Sequence, residues 1–160
     1  MKRKDRRSLK RLFKHGLHVH RRGWIDGARV AYLKVLEIDP CHNGAIFNLG
    51  QIYIDQGQDH LAIDCYHLMT SLCPFFPPGF YALGTLYHKL GKIKKAHKAY
   101  KRACRLDPLM IIARYNLGLV YQELGRKGKA RKQLQLCLDL GLDEGDLRQE
   151  IQRLLREELF

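Results

Sequence analysis

Long apolar runs are missing from this chain, and with them any segment of the roughly 20 consecutive, predominantly apolar residues that a bilayer-spanning helix needs. Near the N-terminus, Leu9, Leu12, Phe13 and Leu17 are interrupted by Lys10, Arg11, Lys14 and His15, which gives an amphipathic helix where a secretory leader would have an unbroken apolar region. Ordered cysteine is missing too. Cys41, Cys65, Cys73, Cys104 and Cys137 are odd in number and contain no CxxC spacing, so neither a disulfide framework nor a zinc site is indicated, and a reducing, cytoplasmic compartment is expected. There is no Gly-rich phosphate loop, no Ser/His/Asp set and no paired carboxylate, so the expectation is no enzyme, no cofactor and no metal. His60, Asp64 and His67 share one helix face at i, i+4, i+7, but as an outer-face set without a fourth ligand they read as surface hydrogen-bonding groups.

Acidic residues are scarce in two places. Residues 1–23 hold 10 basic and 1 acidic side chains, and residues 89–132 hold 14 and 2. Residues 24–88 and 133–160 each carry a net charge of −4, and the whole chain carries +13.

What is abundant is repetition. Gly16, Gly50, Gly84 and Gly118 are spaced by 34, as are Ala28, Ala62, Ala96 and Ala130. The same spacing links Gly23, Gly57, Gly91 and Gly125, then Tyr32, Tyr66, Tyr100 and Leu134, then Val35, Met69, Ala103 and Cys137, and finally Pro40, Pro74, Pro108 and Leu142. Within a unit, Ile46, Leu49, Gly50 and Tyr53 are i, i+3, i+4, i+7 and line one face of a first helix, while Ala62, Tyr66 and Met69 do so in a second. Gly57 lies between them, where a residue free to turn left-handed ends the first helix, and Pro74 stops the second. Each unit is therefore a helical hairpin. Gly84 and Ala96 are expected where its two helices cross.

The unit from Pro77 to Leu109, with Phe80, Leu83, Gly84, Tyr87, Ala96, Tyr100, Ala103 and Pro108, resembles the tetratricopeptide repeat family, and the resemblance covers about residues 9–144. It departs in the end units, where His15 replaces Leu, Arg114 replaces the aromatic and Leu142 replaces Pro. The resemblance implies an all-α, right-handed solenoid: a basic tail over 1–8, hairpins over 9–42, 43–76, 77–110 and 111–144, and a capping helix over 145–160. In that capping helix, Leu147, Ile151, Leu154 and Leu155 form the apolar stripe, Asp146 is expected to cap the start with Gln149 reaching back, and the last turn, with Glu157 and Glu158, is expected to fray and expose Leu159 and Phe160. His15, in a leucine column, is expected buried and neutral, and Cys137 is expected to be a small buried hydrophobe.

As function, the resemblance implies a scaffold that binds a partner peptide in the concave groove lined by the first helices. The candidate groove residues are Lys10, Phe13, Lys14, Arg21, Phe47, Asn48, Gln51, Tyr81, Thr85, His88, Tyr115 and Asn116. Lys10, Lys14 and Arg21 point to an acidic partner, and His20 and His88, in equivalent groove positions, suggest pH sensitivity. The aromatic ladder Phe13, Phe47, Tyr81 and Tyr115 has two readings, packing between adjacent first helices or gripping a peptide. The family's carboxylate clamp is matched only at Asn48, because Phe13, Leu17, Pro78 and Ala82 stand where its other polar groups are needed. The basic outer face, represented by Lys95, Lys98, Arg102 and Arg105, reads either as a solubilising surface or as a site for a polyanion, RNA or an anionic membrane. A small secretion-type chaperone is a further alternative, and oligomeric state is not encoded in any motif.

Overall fold

In the computed structural model the described residues are 3–141 and 145–157, and among them are nine α-helices and no strand. The chain divides into two compact units, residues 1–74 and 75–160. The first holds α1 (Arg3–Arg21), α2 (Ile25–Ile38), α3 (Asn43–Asp55) and α4 (Asp59–Leu72). The second holds α5 (Pro77–Lys89), α6 (Ile93–Leu106), α7 (Ile111–Glu123), α8 (Lys127–Asp139) and α9 (Asp146–Glu157). α1 reaches back to Arg3, so residues 3–8, expected as a tail, continue the first helix.

Each hairpin turns on its mid-unit glycine. Gly57 has φ +71°, its N–H donates to the Ile54 carbonyl at 3.0 Å, and the next N–H, of Gln58, reaches back to the Tyr53 carbonyl at 2.7 Å. That closes α3 in the left-handed conformation only glycine adopts without strain. Where the proline column lapses after α8, Gly141 takes φ +80° and ends the helix in the same way. α5 starts directly on Pro77, whose missing N–H is one the helix would leave unbonded anyway.

The second helices bury their small and aromatic columns completely: Ala28, Ala62, Ala96 and Ala130, with Tyr32, Tyr66, Tyr100 and Leu134. At the glycine column a ring is the nearest neighbour. A Cβ added at Gly84 would lie 2.6 Å from Tyr100 Cδ1, and one at Gly50 would lie 2.6 Å from Tyr66 Cε1. The atoms nearest to such a Cβ belong to the tyrosine ring 16 residues on, so that ring is what keeps the position glycine. In the last hairpin the ring is replaced by Leu134, whose Cδ2 would be 2.9 Å from a Cβ on Gly118.

α9 covers the far side of the last hairpin. Ile151 and Leu154 join Leu134 and Cys137 in one buried cluster, against which Tyr115, Leu119, Leu147 and Leu155 pack. The expected Asp146 cap is not formed. The helix begins at Asp146, and the Gly145 carbonyl accepts the Arg148 and Gln149 N–H groups at 3.0 and 3.2 Å, so Asp146 sits in the first turn, where its charge favours the helix dipole. Residues 142–144 and the expected exposure of Leu159 and Phe160 lie outside the described residues.

His15, expected buried, is exposed. Arg11 and His18, which share its face of α1, are exposed as well, whereas their counterparts Ala113, Leu117 and Val120 on α7 are buried. α7 follows the hairpin of α5 and α6, while α1 has no hairpin before it among the described residues, so that face of α1 meets solvent and is polar.

Two stability outcomes are expected. Gly84→Ala gains helix propensity of about 1 kcal/mol but forces the Tyr100 ring aside, at about 1–3 kcal/mol, and should be net destabilising in urea unfolding. Gly118→Ala meets only a flexible leucine and should be near neutral; equal losses at both sites would refute the ring-over-glycine account. Truncation before Gly145 should uncover Leu134 and Tyr115 and produce a self-associating, less stable protein by light scattering and thermal melting.

Candidate functional site

The aromatic ladder is braced from behind. Phe13, Phe47 and Tyr81 each meet the tyrosine of their own second helix, Tyr32, Tyr66 and Tyr100, at ring-centroid distances of 5.9, 6.0 and 6.1 Å, tilted in each case. The contact is thus chiefly within a hairpin, although Phe13 also reaches the next first helix, where its Cζ would be 2.7 Å from a Cβ on Gly44, and packs on His42 at 4.5 Å. All four ladder residues are half-buried. Tyr115 is the exception in its surroundings, because it packs on the cluster that α9 completes and so serves the fold as well as the face.

The buried tyrosines send their hydroxyls to this same face. Tyr66 Oη accepts from Gln51 Nε2 at 2.6 Å, Tyr100 Oη donates to Thr85 Oγ1 at 3.3 Å, and Tyr32 Oη lies 3.3 Å from His20 Nδ1. Burial pushes the Tyr66 and Tyr100 hydroxyls up to about 12, only partly offset by those bonds, so both stay protonated. Gln51 and Thr85 are therefore committed to the hairpin, and so is Asn48, whose Nδ2 donates to the Gly44 carbonyl at 2.6 Å. His88 is bonded to Glu123 at 2.5 Å, joining α5 to α7, and stands edge-on to Tyr100. Asn116 is half-buried on α7. Lys10, Lys14 and Arg21 are exposed along α1, on the face that holds Phe13, with no ion pair among the described residues.

The outer face of the second unit is built differently. His97, Lys98, Lys101, Arg102 and Arg105 line a cleft of about 410 Å³ on α6. Arg102 lies 5.7 Å from the Phe80 ring centre and Lys95 lies 5.4 Å from that of Tyr87, so both cations rest on aromatic faces. Neither α6 nor α8 has an acidic residue in its first turn, and their N-caps are Lys92 and Arg126. α2 and α4 start with Asp26 and Asp59 in that turn. Cations at a helix N-terminus oppose the macrodipole by about 0.3–1 kcal/mol each, so the fold gains nothing by them there.

His97 sits within this field. Its ring packs edge-on against Tyr121 at 5.0 Å, and its Nε2 is buried without a hydrogen-bond partner. Burial first, and then Arg126, Lys101 and Lys129, hold its protonation below the usual histidine range. Nothing in the sequence marked His97, because the signal lies in its contact with Tyr121 of α7 and in the charges of Arg126 and Lys129. The thiols are quiet: burial pushes Cys65, Cys104 and Cys137 up to about 11, which fits Cys137 as a small hydrophobe. His60, Asp64 and His67 are exposed on α4, and no group of three metal-ligating side chains converges among the described residues. No helix among them is long and apolar enough to cross a membrane.

The profile described as tetratricopeptide repeat matches residues 44–75 and 111–140, and that described as TPR repeat matches 84–125, together more than half of the chain. No curated protein matches the sequence. Among solved structures, a MamA crystal structure is 29% identical over 90% of this chain and 87% of its own, with a TM-score of 0.74. The Pseudomonas aeruginosa pilF protein is 22% identical over 98% and 71%, with a TM-score of 0.83. A tetratricopeptide repeat protein from Parabacteroides merdae is 20% identical over 93% and 59%, with a TM-score of 0.80. These likenesses place the fold in the all-α helical-repeat solenoid class.

Because His97 resists protonation when folded and takes a proton at its ordinary value near 6.5 when unfolded, stability is lost as pH falls through 6.5 towards the folded value. His97→Gln should flatten that part of the pH–stability curve measured by urea unfolding. Superimposable curves for the two proteins would show that the imidazole is not held neutral.

Proposed function

Since the chain belongs to the tetratricopeptide repeat family, we propose that it is a non-catalytic interaction scaffold that binds a partner protein along the exposed face of its first helices, with acidic segments preferred at α1. The observation that carries this reading is the row Lys10, Lys14 and Arg21, exposed beside the half-buried Phe13. At i, i+4 and i+11 they rise along one side of α1, and no carboxylate among the described residues neutralises them. Phe13 supplies a rigid apolar anchor because Tyr32, His42 and Gly44 hold its ring. An extended acidic peptide would set an apolar side chain against that ring and its carboxylates against the three cations, which steer encounter and select the partner.

In the second unit the corresponding face carries Tyr81, Thr85 and His88 on α5, then Tyr115 and Asn116 on α7. Of these, Tyr81 is the aromatic free of the capping cluster and is the residue there whose loss should weaken binding without unfolding the chain. Thr85 and His88 hold neighbouring groups in place, so they act on a ligand through Tyr100 and Glu123.

Selection from a displayed random-peptide library should enrich acidic sequences. Against an enriched peptide, the combined Lys10→Glu and Lys14→Glu variant should bind at least tenfold more weakly with thermal stability retained, and Phe13→Ala should lose a hot-spot contribution of about 2 kcal/mol or more. Enrichment without acidic bias, or binding indifferent to both changes, would refute the acidic preference at α1.

A further inference from the structure

We propose that the outer face of α6, with the start of α8, binds the phosphodiester backbone of nucleic acid without selecting bases, an activity separate from peptide capture by the first helices. Three observations on the second unit carry it. The first is convergence: Lys98, Lys101, Arg102 and Arg105 line one cleft of about 410 Å³, and no carboxylate lines it. At i, i+3, i+4 and i+7 they occupy successive turns, so the cations climb the helix about one pitch, 5.4 Å, at a time. Arg126 and Lys129, at the start of α8, stand close enough to act electrostatically on His97 beside the cleft, so the positive field continues past α6.

The second is the scarcity of carboxylates in the stretch of sequence that holds Lys98, Lys101 and Arg105. Residues 89–132 contain only Asp107 and Glu123 as acids. Glu123 is bonded to His88, and Asp107 Oδ1 accepts the Leu109 N–H at 2.9 Å in the turn after α6. Neither faces the cleft. A surface whose charge served only solubility would gain helix stability by mixing signs at i, i+4, whereas Lys94 with Lys98, Lys98 with Arg102, and Lys101 with Arg105 are all like pairs.

The third observation selects the ligand. α6 and α8 expose no large apolar side chain among the described residues, so this face has nothing to insert beneath lipid headgroups. Neither helix exposes a tyrosine, phenylalanine or tryptophan ring, since Tyr100 is buried and α8 has none, and the half-buried Phe80 of α5 lies beneath Arg102, so no open platform for a stacked base is offered. α6 is packed between α5 and α7 and cannot enter a groove to read base edges. What remains is a row of guanidinium and ammonium groups matched to phosphates along a strand.

The experiment measures binding of labelled 20-nucleotide poly(U) and poly(A) RNA by anisotropy between 50 and 200 mM salt. Four contacted phosphates give a log–log salt slope of about −2.8, a loss of about 50-fold across that range. The two RNAs should bind within about threefold of each other. The combined Lys98→Gln, Lys101→Gln and Arg105→Gln variant, which spares the Arg102 contact with Phe80, should keep its circular dichroism and bring the slope close to −0.7. Lys98→Glu alone should weaken binding at least fivefold, and supplies the reading if the triple change unfolds. Lys10→Glu with Lys14→Glu, which tests the acidic-peptide reading, should leave RNA binding unchanged, so the two ideas fail separately. No binding at 50 mM salt, binding unaltered by the α6 changes, a strong preference for one base, or binding to phosphatidylserine vesicles but not to RNA would each overturn the proposal.

Discussion

Everything in this protein depends on how closely two helices approach at each hairpin crossing. The gap is filled by a tyrosine ring lying on a glycine, Tyr66 on Gly50 and Tyr100 on Gly84, with no room for a Cβ between them. That single contact does three things. It sets the separation of the helices, it buries an aromatic ring in a hairpin too small to have a core of its own, and it carries the tyrosine hydroxyl to the opposite face. There the hydroxyl meets Gln51 or Thr85, so the packing inside a hairpin fixes the orientation of polar groups on the first helix.

The two long faces of the hairpins answer to different physics. The aromatic ladder on the first helices is half-buried and braced by rings, and Asn48 and Gln51 beside it are bonded to neighbours, so that part of the surface offers shape at little entropic cost on binding. The outer face of α6 offers charge with almost no shape: long cationic side chains on one helix, of which Lys94 and Lys95 in the first turn are at odds with the helix dipole. The first arrangement suits recognition of a particular sequence, the second a ligand defined by charge density. The same 34-residue unit supplies both because its small and aromatic columns take up the steric constraint, which leaves other positions free to vary, as in the column Trp24, Gln58, Lys92 and Arg126.

The period made the hairpins, their turns and the buried columns legible in the sequence, since each column recurs where the same steric problem recurs. Pairings across a hairpin were less so. Glycine and alanine are both small, and only coordinates show that the glycine opposes a ring at i+16. His15 was misread for a related reason: a column average assigns it the environment of Leu49 and Leu117, but burial of that column comes from a preceding hairpin that α1 lacks among the described residues. The capping of α9 was missed because a carbonyl at Gly145 can do what a side chain at Asp146 was expected to do, and backbone groups leave no trace in composition. For the site, the positions of the cations were readable, whereas the commitment of Asn48, Gln51 and Thr85 to intramolecular bonds was not.

The polar face of α1 bears on assembly. A stack of like hairpins is in principle extendable, because the apolar end of one copy resembles the surface the next repeat would offer, and head-to-tail addition of this kind generates open filaments when it does not close. Arg11, His15 and His18 stand where Ala113, Leu117 and Val120 make the corresponding contact within the second unit. Seating another copy's hairpin there would strip water from a guanidinium and two imidazoles, which costs free energy unless each finds a hydrogen-bond partner. A charged face on α1 would thus oppose such addition there, and in the second unit α9 covers the apolar cluster of the last hairpin.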